Sequence, residues 1–222
     1  MTGVNFMPLL GYGGLITASR AYVTRVSDAT DLTTYTFTAA SIGTATTSDY
    51  LVLCVGFRAN AVARSISSVT LDTVGCTAAV TTGGAAATGC GIFITPHTGN
   101  TTGDIVVTFS GAVQRMSVDV YTARNINPTT TDTAAVTSGN PLALSVDSLE
   151  RGLVFGIGNT TANAATPTWV GITQDANGSV EAASTFSSAS EATSSSTTPL
   201  TVTCSWSTST TPAGASCVFN HS

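Results

Sequence analysis

Lysine is absent from this chain of 222 residues, whose seven basic side chains are all arginine. Charged residues of either sign make up only 9% of it, against roughly 25% in ordinary soluble domains. The polar surface must therefore be built from Thr, Ser, Asn and backbone amides. Such a surface hydrogen-bonds well but supplies little like-charge repulsion between copies. Arg20, Arg25, Arg58, Arg64, Arg115, Arg124 and Arg151 are scattered along a chain of net charge −5. Phosphate binding needs clustered cations, so no nucleic-acid partner is expected. No apolar run approaches the roughly 20 residues of a membrane-spanning helix, and no membrane partner is expected either. Met1-Thr2-Gly3 opens the chain without the positive and apolar regions of a signal peptide, which points to synthesis in a cytoplasm.

Chemistry-bearing motifs are equally scarce. The only histidines are His97, in a PHTG turn, and His221. A lone histidine in a turn reads as a surface residue. Metal sites need clustered ligands at characteristic spacings, and no such spacing occurs; no cofactor is expected. The G-x-S-x-G elbow of serine hydrolases is missing. The twelve acids fall mostly in turns or at strand ends, where Asp serves turn geometry. The glycine runs GYGG and TTGGAAATG lack the lysine and following helix of a phosphate loop. No catalytic residue is assigned, and the chain is expected not to be an enzyme. Five cysteines, an odd number without a signal peptide, argue against a full disulfide framework. Cys54 and Cys204 lie in apolar strands as buried thiols, while Cys76–Cys90 and Cys204–Cys217 could pair if their strands are neighbours.

What the chain does have is strand pattern. Residues 1–20, MTGVNFMPLLGYGGLITASR, show neither helical nor strand period and read as an N-terminal arm. The arm either covers its own sandwich or reaches out to a partner through Phe6, Met7, Leu9 and Leu10. Residues 21–222 read as one β domain. AYVTRV (21–26) and TYTFTA (34–39) alternate, with Tyr35 and Phe37 on one face. YLVLCVGFRA (50–59) is almost wholly apolar, as a central strand covered on both faces would be. In SISSVTLD (65–72), Ile66 is out of step with Val69 and Leu71, which predicts a bulge. QRMSVDVYTA (114–123) puts Met116, Val118 and Val120 on one face. About a dozen such segments, separated by turn residues, predict an all-β antiparallel sandwich of jelly-roll type. The Thr- and Ser-rich stretches 129–138 and 184–198 read as solvated loops or edge strands, and DANG (175–178) as a hairpin turn. No repeat of fixed period is visible. Trp169, Trp206, Tyr12, Tyr22 and Tyr121 are the aromatic candidates for stacking on a sugar, with Trp169 and Trp206 foremost.

Several of these segments also carry a resemblance. Tyr35 and Phe37, the Ser41–Gly43 turn, the apolar strand Leu51–Arg58, Val69–Leu71, the run GNTTGDIVVTFS (99–110) and Val118–Tyr121 together resemble structural proteins of tailed bacteriophages. The resemblance covers roughly residues 34–160 and brings no catalytic residue with it. Where many relatives have Gly-Gly after the V-T-[IL] strand, this chain has Asp72-Thr73. The resemblance implies a virion protein made in the host cytoplasm. With the arm and the weakly charged surface, it leads to the expectation of a head decoration or cement protein, anchored on the major capsid protein or other virion proteins. A homo-oligomer, with a trimer favoured, would suit that role. The alternative is a tail- or head-fibre module that reads a host glycan through Trp169 and Trp206.

Overall fold

The computed structural model describes residues 17–60, 62–82 and 87–222. Its first half contains β1 (Ser19–Asp28), β2 (Leu32–Ser41), β3 (Tyr50–Arg58), β4 (Ile66–Leu71), β5 (Val74–Gly75), β6 (Thr77–Thr81), β7 (Thr88–Pro96), β8 (Thr102–Val113) and β9 (Arg115–Arg124). They form two antiparallel sheets, ordered β1-β9-β3-β7-β6 and β2-β8-β4-β5. First strand beside last, with β1 to β4 and β7 to β9 alternating between the sheets, is the jelly-roll order. Tyr35, Leu53, Phe57, Ile105, Phe109, Met116 and Val120 pack between the two sheets. The clean alternation in β9 supplies the last two of these.

The second half repeats the plan with β10 (Ile126–Val136), β11 (Leu142–Ala143), β12 (Val146–Ser148), β13 (Leu153–Thr160), β14 (Pro167–Val170), β15 (Thr173–Val180), β16 (Ser184–Ala192), β17 (Thr197–Leu200), β18 (Thr203–Trp206) and β19 (Ala213–His221). Its inner sheet runs β10-β19-β13-β16-β15, matching β1-β9-β3-β7-β6 strand for strand. Its outer layer is split into β11-β18-β14 and β12-β17, the counterpart of β2-β8-β4. One sandwich of two sheets was expected over residues 21–222; the jelly roll instead forms twice, and Ser19 and Arg20, read as part of the arm, already belong to β1.

The two jelly rolls stack through their inner sheets, giving four layers and three cores. Val52, Cys54, Ile92 and Tyr121 from the first meet Leu153, Phe155, Cys217 and Phe219 from the second. This is why β3 reads as apolar on both faces: one lines its own core and the other lines the core between jelly rolls. Across this interface β1 touches β15, β9 touches β15 and β16, β3 touches β13 and β16, β7 touches β13 and β19, and β6 touches β10 and β19. Exchanging each strand for its counterpart reproduces the same set of contacts. That is the pattern of a two-fold, isologous interface made within one chain.

Edge strands are where sheets risk pairing with other chains, and bulges blunt them. Register shifts interrupt β1, β2, β6, β10 and β15. By contrast, β3 with β7 and β9, and β13 with β16 and β19, run without a shift. The bulge read into residues 65–72 is present, as a shift between Ile66 and Ser68.

Three local readings need correction. The Ser-rich tract at 184–198 begins with β16, which is paired on both sides and buried from Ser184 to Ser190. Its hydroxyls are hydrogen-bonded: Thr185 donates to Ala162 O, Ser187 to Ala176 O, and Ser188 accepts from Tyr121. A buried hydroxyl costs little once it is partnered, so serine can stand where an apolar residue was expected. DANG is not a turn but lies inside β15; the chain reverses at Glu181–Ala183, a single 3-10 turn with Glu181 at φ 50°. His97 is buried: its Nε2 lies 3.2 Å from Ile42 O, and its Nδ1 accepts the Gly99 N–H at 2.9 Å.

Candidate functional site

Phe6, Met7, Leu9, Leu10 and Tyr12 lie outside the described residues. Trp206 is 4% exposed and Trp169 half-buried; both rings pack in the core between the second inner sheet and its outer layer. The Trp169 Nε1–H donates to Ser187 Oγ at 2.9 Å, and the ring lies so close over Gly156 that an added Cβ would be 2.8 Å from it. Neither tryptophan presents the open face that sugar stacking was expected to use. Tyr121 is buried, and among the described candidates Tyr22 is the most exposed, at 37%. Tyr22 meets Tyr121 edge-on at 5.5 Å.

All five cysteines are free. Cys217 faces the core between jelly rolls, while Cys204 lies on the other side of that layer. Cys76 precedes Thr77, which pairs with Ile94, whereas Cys90 sits at the far end of that ladder beside Thr82. Neither expected pairing is formed. Burial pushes every one of these thiols up, Cys76 to about 11, so none is an activated nucleophile.

The densest polar chemistry lies on the β1–β15 flank of the inter-jelly-roll interface. Four of the seven arginines cross it. Arg20 donates through Nε to Ser190 Oγ and through Nη2 to Ser190 O, both at 2.6 Å. Arg25 holds Asp119 with two parallel bonds, Nε to Oδ1 at 2.7 Å and Nη2 to Oδ2 at 2.6 Å, and reaches Phe186 O at 3.1 Å. Arg58 donates to Ala183 O at 2.5 Å, and Arg115 pairs with Glu181. All four partners belong to β16 or to the turn that precedes it. The arginines that look scattered in sequence are gathered into one seam.

Inside this seam Ser190 Oγ donates to Asp175 Oδ2 at 2.5 Å, and Tyr121 Oη lies 2.7 Å from Ser188 Oγ and 3.2 Å from Asp175 Oδ2. Burial pushes the Asp175 carboxyl up, against the lowering effect of the Ser190 hydrogen bond and of Arg20. Burial above all, with the nearby Asp175 and Asp119 carboxylates, pushes Tyr121 far above the phenol range. Burial opposes the charge on Arg25, but the hydrogen bond and charge of Asp119 outweigh it and its pKa rises. Asp119 itself is fully buried in mid-strand, which corrects the reading of the acids as turn residues. The bidentate geometry is the strong form of this pair. Ser190 has no histidine beside it, since His97 lies by the Ile42 loop, and the hydrogen bonds of the seam bridge the two jelly rolls. Among the described residues no three His, Cys, Asp or Glu side chains come together as a metal site.

One signal for the seam was present in sequence: Asp119 interrupts a strand beside β3, whose apolar character on both faces already implied a second covered face. A groove of about 390 Å³ runs along β1 on the outer side of this flank, lined by Ser19–Val23, Gly43, Thr44, Thr122 and Arg124. No protein-family model matches the chain, and no curated protein matches it.

Proposed function

We propose that this protein is a structural component of a bacteriophage virion, a decoration or cement protein on the outer head surface. The observation that carries the reading is the shape of the stack. Two jelly rolls, bound through a core and an arginine seam, turn their outer sheets in opposite directions. One outer face carries Thr34, Thr36, Ser68, Thr70 and Thr108 with Asp104, the other Thr168, Val170, Thr203 and Ser205 with Asp147. A rigid body with two hydroxyl-rich faces suits bridging between neighbours in an array. A standard interface of about 800 Å² per partner, repeated over many copies, gains avidity. The resemblance over residues 34–160 supports the same reading. The major capsid protein is the partner it proposes, and a trimer the arrangement. The glycan reading has lost the two exposed tryptophans on which it stood and is not carried forward.

Cryo-electron microscopy of purified particles tests the proposal. Density for two stacked jelly rolls on the head exterior is the expected result, and density confined to the tail would overturn it. Deleting residues 1–14 is expected to abolish attachment to heads while the jelly rolls stay folded.

A further inference from the structure

The first inner sheet ends at β1, which pairs only with β9, so its other edge has no strand beside it among the described residues. From Ser19 to Tyr22 the pairing runs in register opposite Arg124 to Tyr121, and the shift comes only after Tyr22. In an antiparallel ladder the groups that do not bond the partner strand point away from it. This stretch therefore holds N–H and C=O groups toward the open side.

The groove beside β1 touches five consecutive residues, Ser19 through Val23. Ser19 and Ala21 share a face with Arg124 and Thr122 opposite them, and the groove covers that face; it also touches Arg20 and Tyr22, whose side chains point to the other face, so it reaches round β1. Gly43 and Thr44 of the β2–β3 connection border it. Gly43 is required there: its φ is +80°, and a Cβ would lie 2.9 Å from Val23.

The charge along this groove is of one sign. Arg20 and Arg124 are its only charged lining residues among those described, in a chain of net charge −5. Arg20 is committed to Ser190. The Arg124 side chain is 47% exposed; its guanidinium donates through Nη2 to Thr44 O at 2.9 Å and lies 3.5 Å from Asp49. Asp49 Oδ2 already takes the N–H and O–H of Thr46. Among the described residues Nη1 of Arg124 has no hydrogen-bond partner, and a carboxylate is the group that a guanidinium fork fits.

We propose that the open edge of β1 accepts an extended, acidic segment of a partner protein as an added strand, with Arg124 pairing its carboxylate. Strand addition takes its affinity from main-chain hydrogen bonds and its selectivity from flanking side chains. Here the selectivity is for negative charge. The inference rests on this edge alone, so it can fail while the head-decoration reading holds, and the reverse.

The test titrates the isotope-labelled full-length protein with two capped heptapeptides of alternating Val and Thr, one with two Glu and one with two Lys. Saturable amide shifts at residues 19–23 and 43–44 with the Glu peptide, and none with the Lys peptide, are expected. Arg124→Glu should weaken the Glu peptide by about tenfold or more, the scale of a lost charge-assisted contact, and Arg124→Lys should retain part of the binding. Comparing the thermal unfolding of both variants with the parent separates a binding loss from a folding loss. Shifts that avoid the groove, equal response to both peptides, or no saturable response would overturn the proposal. So would self-association that occupies the same amides, which would make a second copy the occupant.

Discussion

At the turn joining β4 to β5, both central residues, Asp72 at φ 47° and Thr73 at φ 73°, sit in the left-handed region. A two-residue hairpin of this kind favours glycine at both positions. Asp72 has a compensating role, because its Oδ1 accepts the Asp104 N–H at 2.7 Å. Thr73 is β-branched and gains nothing comparable. Relief of its strain, set against the greater unfolded-state freedom of glycine, should make Thr73→Gly more stable by roughly 0.5–1 kcal/mol, read as a higher denaturation midpoint. Asp175 makes a pH prediction. Its folded pKa is raised by burial above the ordinary carboxylate value, so it favours the folded state most below that ordinary value and loses this contribution as pH rises through the folded pKa. Denaturant titrations across that window should show the difference in stability between the parent and Asp175→Asn changing in that sense. An unchanging difference would remove Asp175 as the cause.

For single elements, legibility in sequence followed coverage. β2, with one exposed face, announced itself by alternation and β3 by its unbroken apolar run, while β9 alternates although both its faces are buried, because its second face carries Ser117 and Asp119. β16 did not, because its buried hydroxyls spend their hydrogen bonds inside the protein, and composition does not report where a hydroxyl finds its partner. The same holds for the seam: arginines far apart in the chain converge on β16 only because the two inner sheets stack. β16 also packs tightly against β3. A Cβ on Gly56 would lie 2.6 Å from the Phe186 ring, and Phe186 is fully buried. Gly56→Ala should therefore cost about 1–3 kcal/mol as an overpacked core site, and a thermal melt with no downward shift would contradict this placement.

For the whole molecule, the duplication was invisible in sequence because it lives in strand order and not in residue identity. Counterpart strands share a place in the sheet while their side chains differ: β7 carries GCGIFI where β16 carries TFSSAS. The shared core between the jelly rolls makes them one cooperative unit. Calorimetric and van't Hoff enthalpies should agree for a single transition, and two resolved transitions would mean that the inner sheets separate before either jelly roll melts.

The seam is lopsided, and that has a mechanical consequence. All four arginine bolts lie toward β16 and its turn, on the β1–β15 side, whereas the β6–β10 side opens into a groove of about 320 Å³ lined by Tyr50, Ile94, Pro96 and Pro128 with threonines. A force prying the stack apart meets hydrogen-bonded charge on one margin and, toward β7 and β19, only uncharged contacts such as the Thr88 hydroxyl donating to Thr211 O. Cracks start where the glue is weakest, so under load the stack peels from the β6–β10 margin, with the arginine side acting as its hinge pin.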